Sequence, residues 1–422
     1  MLKHLKSEFV RNIGALISAT FIAQILSYLA APIITRLYSP EEFGELGIFL
    51  RIVAIGAALA TLRYEQAIPI IKNDSHSFRL FKFVVRLIVI ISAASTVIIA
   101  VPFLLGLNGN YFIMYALIPI GIALSSYFLL GTNWLLRFKK VKHIGLSRVL
   151  TALGSSVSKI IFGVFNLGFI GLIYGTVIGF LIGILPIKQI VKKDNAKFQI
   201  ASKAKRNALV AKQHIDFPKI NLPHGILDYS KDLIVAVLFI HLFTKEEYGL
   251  YDHTYRMLRL PLALIGTALG QMFFQRCAEM INKGEDVRPL ILKSLKTLSL
   301  IAIIPFGILM LFGEDIFPLV FGHQWAESGR FSEIMSVWFA LNFIISPITS
   351  LPLILKRQGS FFKLAIFGSI FMIVSILVPA YVFQANIIET IWVLSIGQTL
   401  YLAVVIYAVL GYLKKFENEK DL

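Results

Sequence analysis

Apolar runs of about eighteen residues or more alternate with short polar stretches along the chain. A helix that long, rising ~1.5 Å per residue, crosses a hydrocarbon core of ~30 Å. The runs predict spans at 13–35, 45–64, 82–106, 111–134, 144–166 and 168–190, then at 220–243, 250–273, 293–313, 332–355, 361–384 and 388–412. Residues 191–219 form the longest polar stretch. The expected organisation is an all-α polytopic membrane protein: a six-helix lobe at 1–190, a basic cytoplasmic linker at 191–219, and a second six-helix lobe at 220–422 with a short tail.

The loops test this count independently. With the N-terminus in the cytoplasm, the inside segments hold most of the 41 Lys and Arg residues, and the outside ones hold only Arg36, Lys245 and Arg330. Orientation follows such a bias, and one miscounted helix would invert it from that point onward. Twelve spans with both termini inside are therefore expected. The outside connections at 106–110 and 166–168 are little more than turns. The longest, 313–330, is expected to lie along the interface with Trp325 as an anchor. The segment MLKHLKSEFVRN is basic but no small-residue cleavage site follows it, so it reads as a retained first helix.

One stretch recurs. Residues 36–51, RLYSPEEFGELGIFLR, return at 242–256 as LFTKEEYGLYDHTYR. At a constant offset Leu37 falls on Leu242, Glu41 on Glu246, Glu42 on Glu247, Gly44 on Gly249 and Arg51 on Arg256. Two capped turns can look alike by chance. Here, however, each copy lies between two apolar runs and sets an arginine inside the second. A duplicated membrane unit is the simpler account; such symmetry is common in transporters, whose substrate sites lie between the repeats.

Composition narrows the class. At 57% hydrophobic residues and a mean hydropathy of +0.76, the chain is more apolar than a soluble protein needs to be. The net charge of +17 would suit nucleic acid, but the basic residues sit between apolar runs, so no nucleic-acid partner is expected. The linker's lysines read as attraction to anionic membrane lipids and as topology signals. Cys277 is the single cysteine, which excludes an intrachain disulfide. A phosphate-binding loop, a His/Cys cluster with metal spacing and a Gly-x-Ser-x-Gly elbow are all lacking, so no cofactor and no bound metal are expected.

The informative residues are charges inside spans: Arg51, Arg63, Lys159, Lys231, Arg256 and Arg259. Each costs ~2.5–3.5 kcal/mol at a helix centre, so each needs a polar cavity or a partner. Arg63 lies near a span end, where snorkelling is the simpler account. The acids Asp228, Asp232 and Asp252 accompany them. Pairing within the helix, Asp252 with Arg256 and Asp228 with Lys231, competes evenly with a cavity role. The positive excess would attract an anion such as a diphosphate or an acidic sugar. The acids are candidate ion- or proton-coupling groups. His253 could relay a proton, although a lone histidine more often packs. Pro218 and Pro223, followed by His224 and Gly225, break the start of span seven. Pro32, and Pro261 with Gly266, are further places for bends.

TRLYSPEEFGELGIF and LRYEQAI resemble the start of bacterial oligosaccharide flippases, the O-antigen and related polysaccharide translocases of the multidrug/oligosaccharidyl-lipid/polysaccharide exporter superfamily. VFGHQWAESGRFSEIMSVWFALNFIISPITSLPLILKRQG resembles their tenth-span region. The resemblance implies two pseudo-symmetric six-helix lobes around a central cavity, working by alternating access. It implies a transporter, not an enzyme, that moves an undecaprenyl-diphosphate-linked oligosaccharide across the bacterial cytoplasmic (inner) membrane, with a polysaccharide polymerase as partner. Cavities in that family are commonly cationic, a part that Arg51, Lys159, Lys231, Arg256 and Arg259 would fill here, although no strict binding motif maps onto them. Arg63 and Glu65, within LRYEQAI, would gate, pack or bind at the cytoplasmic mouth. A drug or cation exporter of the same fold would carry an acidic cavity, and a lipid II flippase is a rival within the fold. A polymerase or ligase would carry a large outside loop.

Overall fold

The computed structural model describes residues 2–104, 112–198, 204–262, 267–355 and 357–420. The expected turn at 106–110 and Gly266 lie outside them. The described residues are helical and contain no strand. The helices are α1 (Leu2–Leu37), α2 (Pro40–Thr61), α3 (Asp74–Leu104), α4 (Phe112–Arg137), α5 (Val141–Val164), α6 (Gly168–Lys197), α7 (Ala204–Gln213), α8 (Leu222–Leu242), α9 (Lys245–Leu258), α10 (Thr267–Asn282), α11 (Arg288–Phe321), α12 (Ala326–Ile345), α13 (Leu351–Ile354), α14 (Gln358–Val382) and α15 (Ile387–Lys420). Among the described residues nine are long and apolar enough to cross a membrane, or ten if the bent pair α12–α13 counts as one. The chain is a multi-pass membrane protein. Helices stand at all twelve expected places. The seventh, α8, carries Asp228, Lys231 and Asp232, and the eighth is divided between α9 and α10. Both therefore fall short on charge or length and need polar surroundings to cross a bilayer.

Two compact units divide the chain, Met1–Ala236 and Val237–Leu422, with their boundary within α8. In the first unit α1 stops at a turn whose Ser39 caps α2. The Ser39 hydroxyl accepts from the Glu42 amide at 3.3 Å and the Glu42 carboxylate accepts from the Ser39 amide at 2.7 Å. Tyr38, buried in this turn, donates its hydroxyl to the Lys159 carbonyl of α5 at 2.7 Å. Helices α5 and α6 pack backbone to backbone. A Cβ at Gly175 would lie 2.9 Å from the Lys159 nitrogen, one at Gly179 2.8 Å from the Thr151 carbonyl oxygen, and one at Gly183 2.9 Å from that of Ser147. Small residues at four-residue spacing permit this approach, which gains dispersion where lipid offers no hydrophobic drive. The 191–219 stretch is not an open tether in its described part. Helix α6 runs to Lys197, and Asp194 there accepts from the Trp134 indole at 2.9 Å. Helix α7 packs on α3 and buries Val210 and Ala211.

In the second unit Thr244 caps α9 in the same way as Ser39 caps α2: its hydroxyl accepts from the Glu247 amide at 3.1 Å, and Glu247 accepts from the Thr244 amide at 2.9 Å. The long outer loop expected at 313–330 is absent. Helix α11 continues to Phe321, with non-helical backbone at Phe312, and only residues 322–325 separate it from α12. Trp325 is fully buried, not an interface anchor. Its indole packs 4.3 Å from the His253 ring, which gives it more apolar contact than an interface would. The close approach of Gly313 and Gly329 explains the short connection: a Cβ at Gly329 would lie 2.8 Å from Glu314 Cα. Ser328 donates to the Leu250 carbonyl at 2.9 Å while Thr254 donates to the Ser328 carbonyl at 2.9 Å, joining α12 to α9. The chain bends by 57° between residues 323–345 and 348–354, at Ser346 and Pro347.

Candidate functional site

The two copies of the repeated stretch place their arginines alike. Arg51 on α2 donates to the Gly47 carbonyl at 3.1 Å. Arg256 on α9 reaches the Asp252 carboxylate at 2.6 Å. Gly47 and Asp252 are themselves equivalent under the repeat, so each arginine is held by the residue one turn before it. The Asp252 side chain is 1% exposed and that of Arg256 is 32% exposed. Burial of this carboxylate is tolerable because the guanidinium compensates it. Arg259 ends α9 and lies over the Tyr255 ring, 5.2 Å from its centroid. Lys159 is half-buried on α5, its stem lying across Gly175 of α6.

The LRYEQAI segment forms a built contact within the first unit. Leu62 and Arg63 take left-handed backbone angles, with φ of 49° and 61°, which ends α2 and starts a single 3₁₀ turn at Tyr64–Gln66. The turn sends Arg63 towards α8. Its guanidinium lies 5.4 Å from the Tyr229 ring centroid and 3.7 Å from the Glu65 carboxylate, which is 1% exposed. Burial pushes the Glu65 carboxyl above the usual range, and Arg63 partly offsets that. A Cβ at Gly225 would come within 2.7 Å of Arg63 Nε, so Gly225 makes room for the guanidinium. Gln66 accepts from Asn221 at 2.8 Å. Arg137 secures the far end of the segment by donating to the carbonyls of Ile68 and Ile71 and, at 2.6 Å, to Asp74. The partner surface is the irregular stretch marked by Pro218 and Pro223: a π-turn at Phe217–Asn221 leads directly into α8.

Helix α8 differs from the expected pairing. Asp228 lies 3.5 Å from His224 Nδ1, one turn earlier, and not against Lys231. The i,i+4 spacing puts His224 above it on the same face. Both side chains are mostly exposed. Lys231 and Asp232 are half-buried, and among the described residues neither has an ion-pair or hydrogen-bond partner. His253 is packed: it is 2% exposed, among Trp325, Phe321 and Phe317. No group of three metal-ligating side chains occurs among the described residues.

The structure thus brings together Arg63 with Glu65 and Asp252 with Arg256. Arg51, Lys159 and Lys231 stand on separate helices of the first unit. Sequence reading overlooked three features. The Gly171, Gly175, Gly179 and Gly183 row was visible as glycines four apart. Buried Glu45 on α2 is an acid inside an apolar run. The Arg137 clamp left no local signal, since it acts through carbonyls about seventy residues away along the chain.

The sequence profile of the family described as polysaccharide biosynthesis proteins matches residues 33–330, more than two thirds of the chain. The chain belongs to that family. No curated protein sequence matches it significantly. Among solved structures this polysaccharide biosynthesis protein is similar to the lipid II flippase MurJ in an inward closed conformation, at TM-score 0.73 and 14% identity, over 95% of this chain and 90% of that one. It is similar to a multidrug resistance MATE family transporter of the MOP superfamily in an inward-facing conformation, at TM-score 0.70 and 16% identity, over 94% and 96%. A MOP superfamily transporter from Pyrococcus furiosus, whose binding pocket is described as reversed in polarity, gives TM-score 0.57 and 16% identity over 96% of each chain. At these identities the likeness is one of fold. In this polysaccharide biosynthesis protein the matched span includes both copies of the repeat, the LRYEQAI contact and all of α8.

Proposed function

We propose that the chain is a flippase carrying an undecaprenyl-diphosphate-linked oligosaccharide repeat unit from the cytoplasmic to the outer leaflet of the bacterial inner membrane. The observation that carries the reading is the pair of equivalent arginines, Arg51 and Arg256, set inside helices of a polysaccharide biosynthesis protein. A cation at membrane depth is costly unless it serves a polar path or a partner. Two at matched repeat positions suit an anionic group such as a diphosphate. Lys159, Lys231 and Arg259 are assigned to the same cationic path. Two six-helix lobes, 1–190 and 220–422, would alternate access around it, with both termini in the cytoplasm.

Asp228, Asp232 and Asp252 are the assigned coupling groups. Of these, Asp232 is the best placed, being half-buried and uncommitted among the described residues. Asp252 is engaged by Arg256 and would exchange a proton only if that pair opened. One charge moved through 100 mV supplies ~2.3 kcal/mol, so membrane potential is a sufficient source for biasing two conformations. Arg63, Glu65 and the start of α8 are assigned to the cytoplasmic gate, and a polysaccharide polymerase would take the product.

The test is deletion of the gene in the source organism, followed by analysis of lipid-linked intermediates and surface polysaccharide. Repeat units should accumulate on the inner leaflet and surface polymer should disappear. The chain should restore export, and Arg51→Gln should not, at equal membrane level. Single repeat units reaching the outer surface unpolymerised would replace this reading by that of a polymerase. The fold likeness to MATE transporters favours a drug exporter as second reading. It predicts drug sensitivity in the deletion strain with surface polysaccharide intact, and the excess of intramembrane cations weighs against it.

A further inference from the structure

The bend between α12 and α13 opens a cleft of about 700 Å³ within the second unit, a size typical of small-molecule sites. Its walls include three aromatic rings, those of Phe274, Phe361 and Tyr401, and the polar side chains Asn342, Ser346 and Thr349. None of its lining residues is charged. It is thus chemically unlike the cationic positions on α2, α5, α8 and α9.

Two features make it a built surface. The Tyr401 ring is immobilised: a Cβ at Gly368 would lie 2.5 Å from its Cε2, and its hydroxyl donates to the Leu364 carbonyl at 3.3 Å. The hydroxyl's proton is thereby committed, and Tyr401 lines the cleft from a fixed position. The break in the helix is satisfied from within. Ser346 donates to the Phe343 carbonyl at 2.9 Å and Thr349 to that of Ser346 at 2.8 Å. Their hydroxyl oxygens keep acceptor capacity for a visitor. Asn342 is half-buried, and among the described residues its amide has no hydrogen-bond partner. It offers two donors and an acceptor to the cleft.

Flat aromatic rings combined with neutral donors and acceptors match a sugar ring. Its C–H faces carry partial positive charge towards the negative ring face, and its hydroxyls both give and accept hydrogen bonds. A prenyl or acyl chain would leave the Asn342 amide unanswered, which is costly away from water. An anion would find no countercharge. Ser346 ends α12, twenty residues beyond Ala326, so ~30 Å of helix separates the cleft from the Trp325 end. In the proposed orientation that is the cytoplasmic side, where substrate enters.

We propose that this cleft is a glycan subsite, taking an uncharged sugar of the lipid-linked substrate while the cationic positions take its diphosphate. The proposal rests on the flippase reading. The test replaces Phe361, one aromatic by another, with the photo-crosslinker p-benzoylphenylalanine in the full chain, in cells that make lipid-linked repeat units. The same probe at Phe383, a largely exposed position at the other end of α14, is the control. The expected result is a Phe361-site adduct bearing hexose or hexosamine mass, absent when the first sugar transfer is deleted and absent at Phe383. An adduct of lipid mass alone, no adduct, or equal sugar labelling at Phe383 would overturn the subsite. Asn342→Leu should also lower export at least tenfold at unchanged protein level; unchanged export counts against the subsite. Wild-type complementation separates the two claims. If the chain restores surface polysaccharide but Phe361 captures no sugar, only the subsite fails. If the chain does not complement, the flippase reading fails.

Discussion

Replacing Arg256 by alanine is the direct test of a cationic path, and the structure shows why it would mislead alone. Asp252 is 1% exposed and Arg256 lies 2.6 Å from it. Alanine at 256 therefore removes the guanidinium that compensates a buried carboxylate. Breaking a buried pair from one side costs ~3–5 kcal/mol, and the 32% exposure of the Arg256 side chain argues for the lower end. A loss of ~3 kcal/mol lowers the folded-to-unfolded ratio about two orders of magnitude, against a total stability of ~5–15 kcal/mol. Lost export in Arg256→Ala would then reflect lost protein as much as lost chemistry. The double variant Asp252→Asn, Arg256→Gln removes both charges while keeping shape and hydrogen-bonding capacity. Its midpoint for thermal unfolding in detergent should return most of the way to wild type, with a coupling of ~2 kcal/mol or more across the cycle. Export should remain absent if the arginine serves the substrate. A coupling below ~0.5 kcal/mol would refute the pair argument. Recovery of both stability and export in the double variant would make Arg256 structural.

Gly225→Ala should displace the Arg63 guanidinium and cost ~1–3 kcal/mol in detergent melts, with Arg63→Ala recovering most of it in the double variant because the obstructing atoms are gone. Ser39→Ala and Thr244→Ala should each cost ~1 kcal/mol and by similar amounts, since each removes one half of an equivalent capping box; a cost at one site alone would argue against a duplicated unit. Because burial raises the Glu65 carboxyl, the folded chain favours its neutral form. Stability from this group is present below the ordinary glutamate range and is lost as pH rises through the raised value, so Glu65→Gln should flatten the pH dependence of the melting midpoint between mildly acid and neutral pH.

Hydropathy made the helices legible because the bilayer's thickness fixes their length and its dryness fixes their composition. The repeat was legible too, since Ser39 with Glu42 and Thr244 with Glu247 are local devices that act across three residues. The 313–330 connection was misread for the opposite reason. GHQWAESGR looks polar and loop-like, but Gly313, Gly329 and Ser328 are small or polar so that α9, α11 and α12 can touch, and Trp325 is buried among them. The sequence leaves Asp228 evenly between pairing with Lys231 and a cavity role, because neighbours three and four residues away share its face; in the fold it lies against His224. The uncharged cleft was invisible because its walls come from α10, α12, α14 and α15, and nothing in any one of them marks a shared surface.

The glycines of α6 also settle how the register of that helix pair is fixed. Gly171, Gly175, Gly179 and Gly183 repeat every four residues, and the α5 positions opposite, Ser147, Thr151, Ser155 and Lys159, repeat at the same interval. Such a track is nearly self-similar: sliding α6 by four residues, ~6 Å, would set a glycine opposite every one of them again. The glycine track by itself cannot choose between these alignments. The choice falls to the end of the track, where the Tyr38 hydroxyl donates to the Lys159 carbonyl and lies where a Cβ on Gly171 would be only 2.7 Å away. One phenol thus acts as a locating pin for two whole helices. Whatever changed its single hydrogen bond would alter how far Lys159 stands along α6.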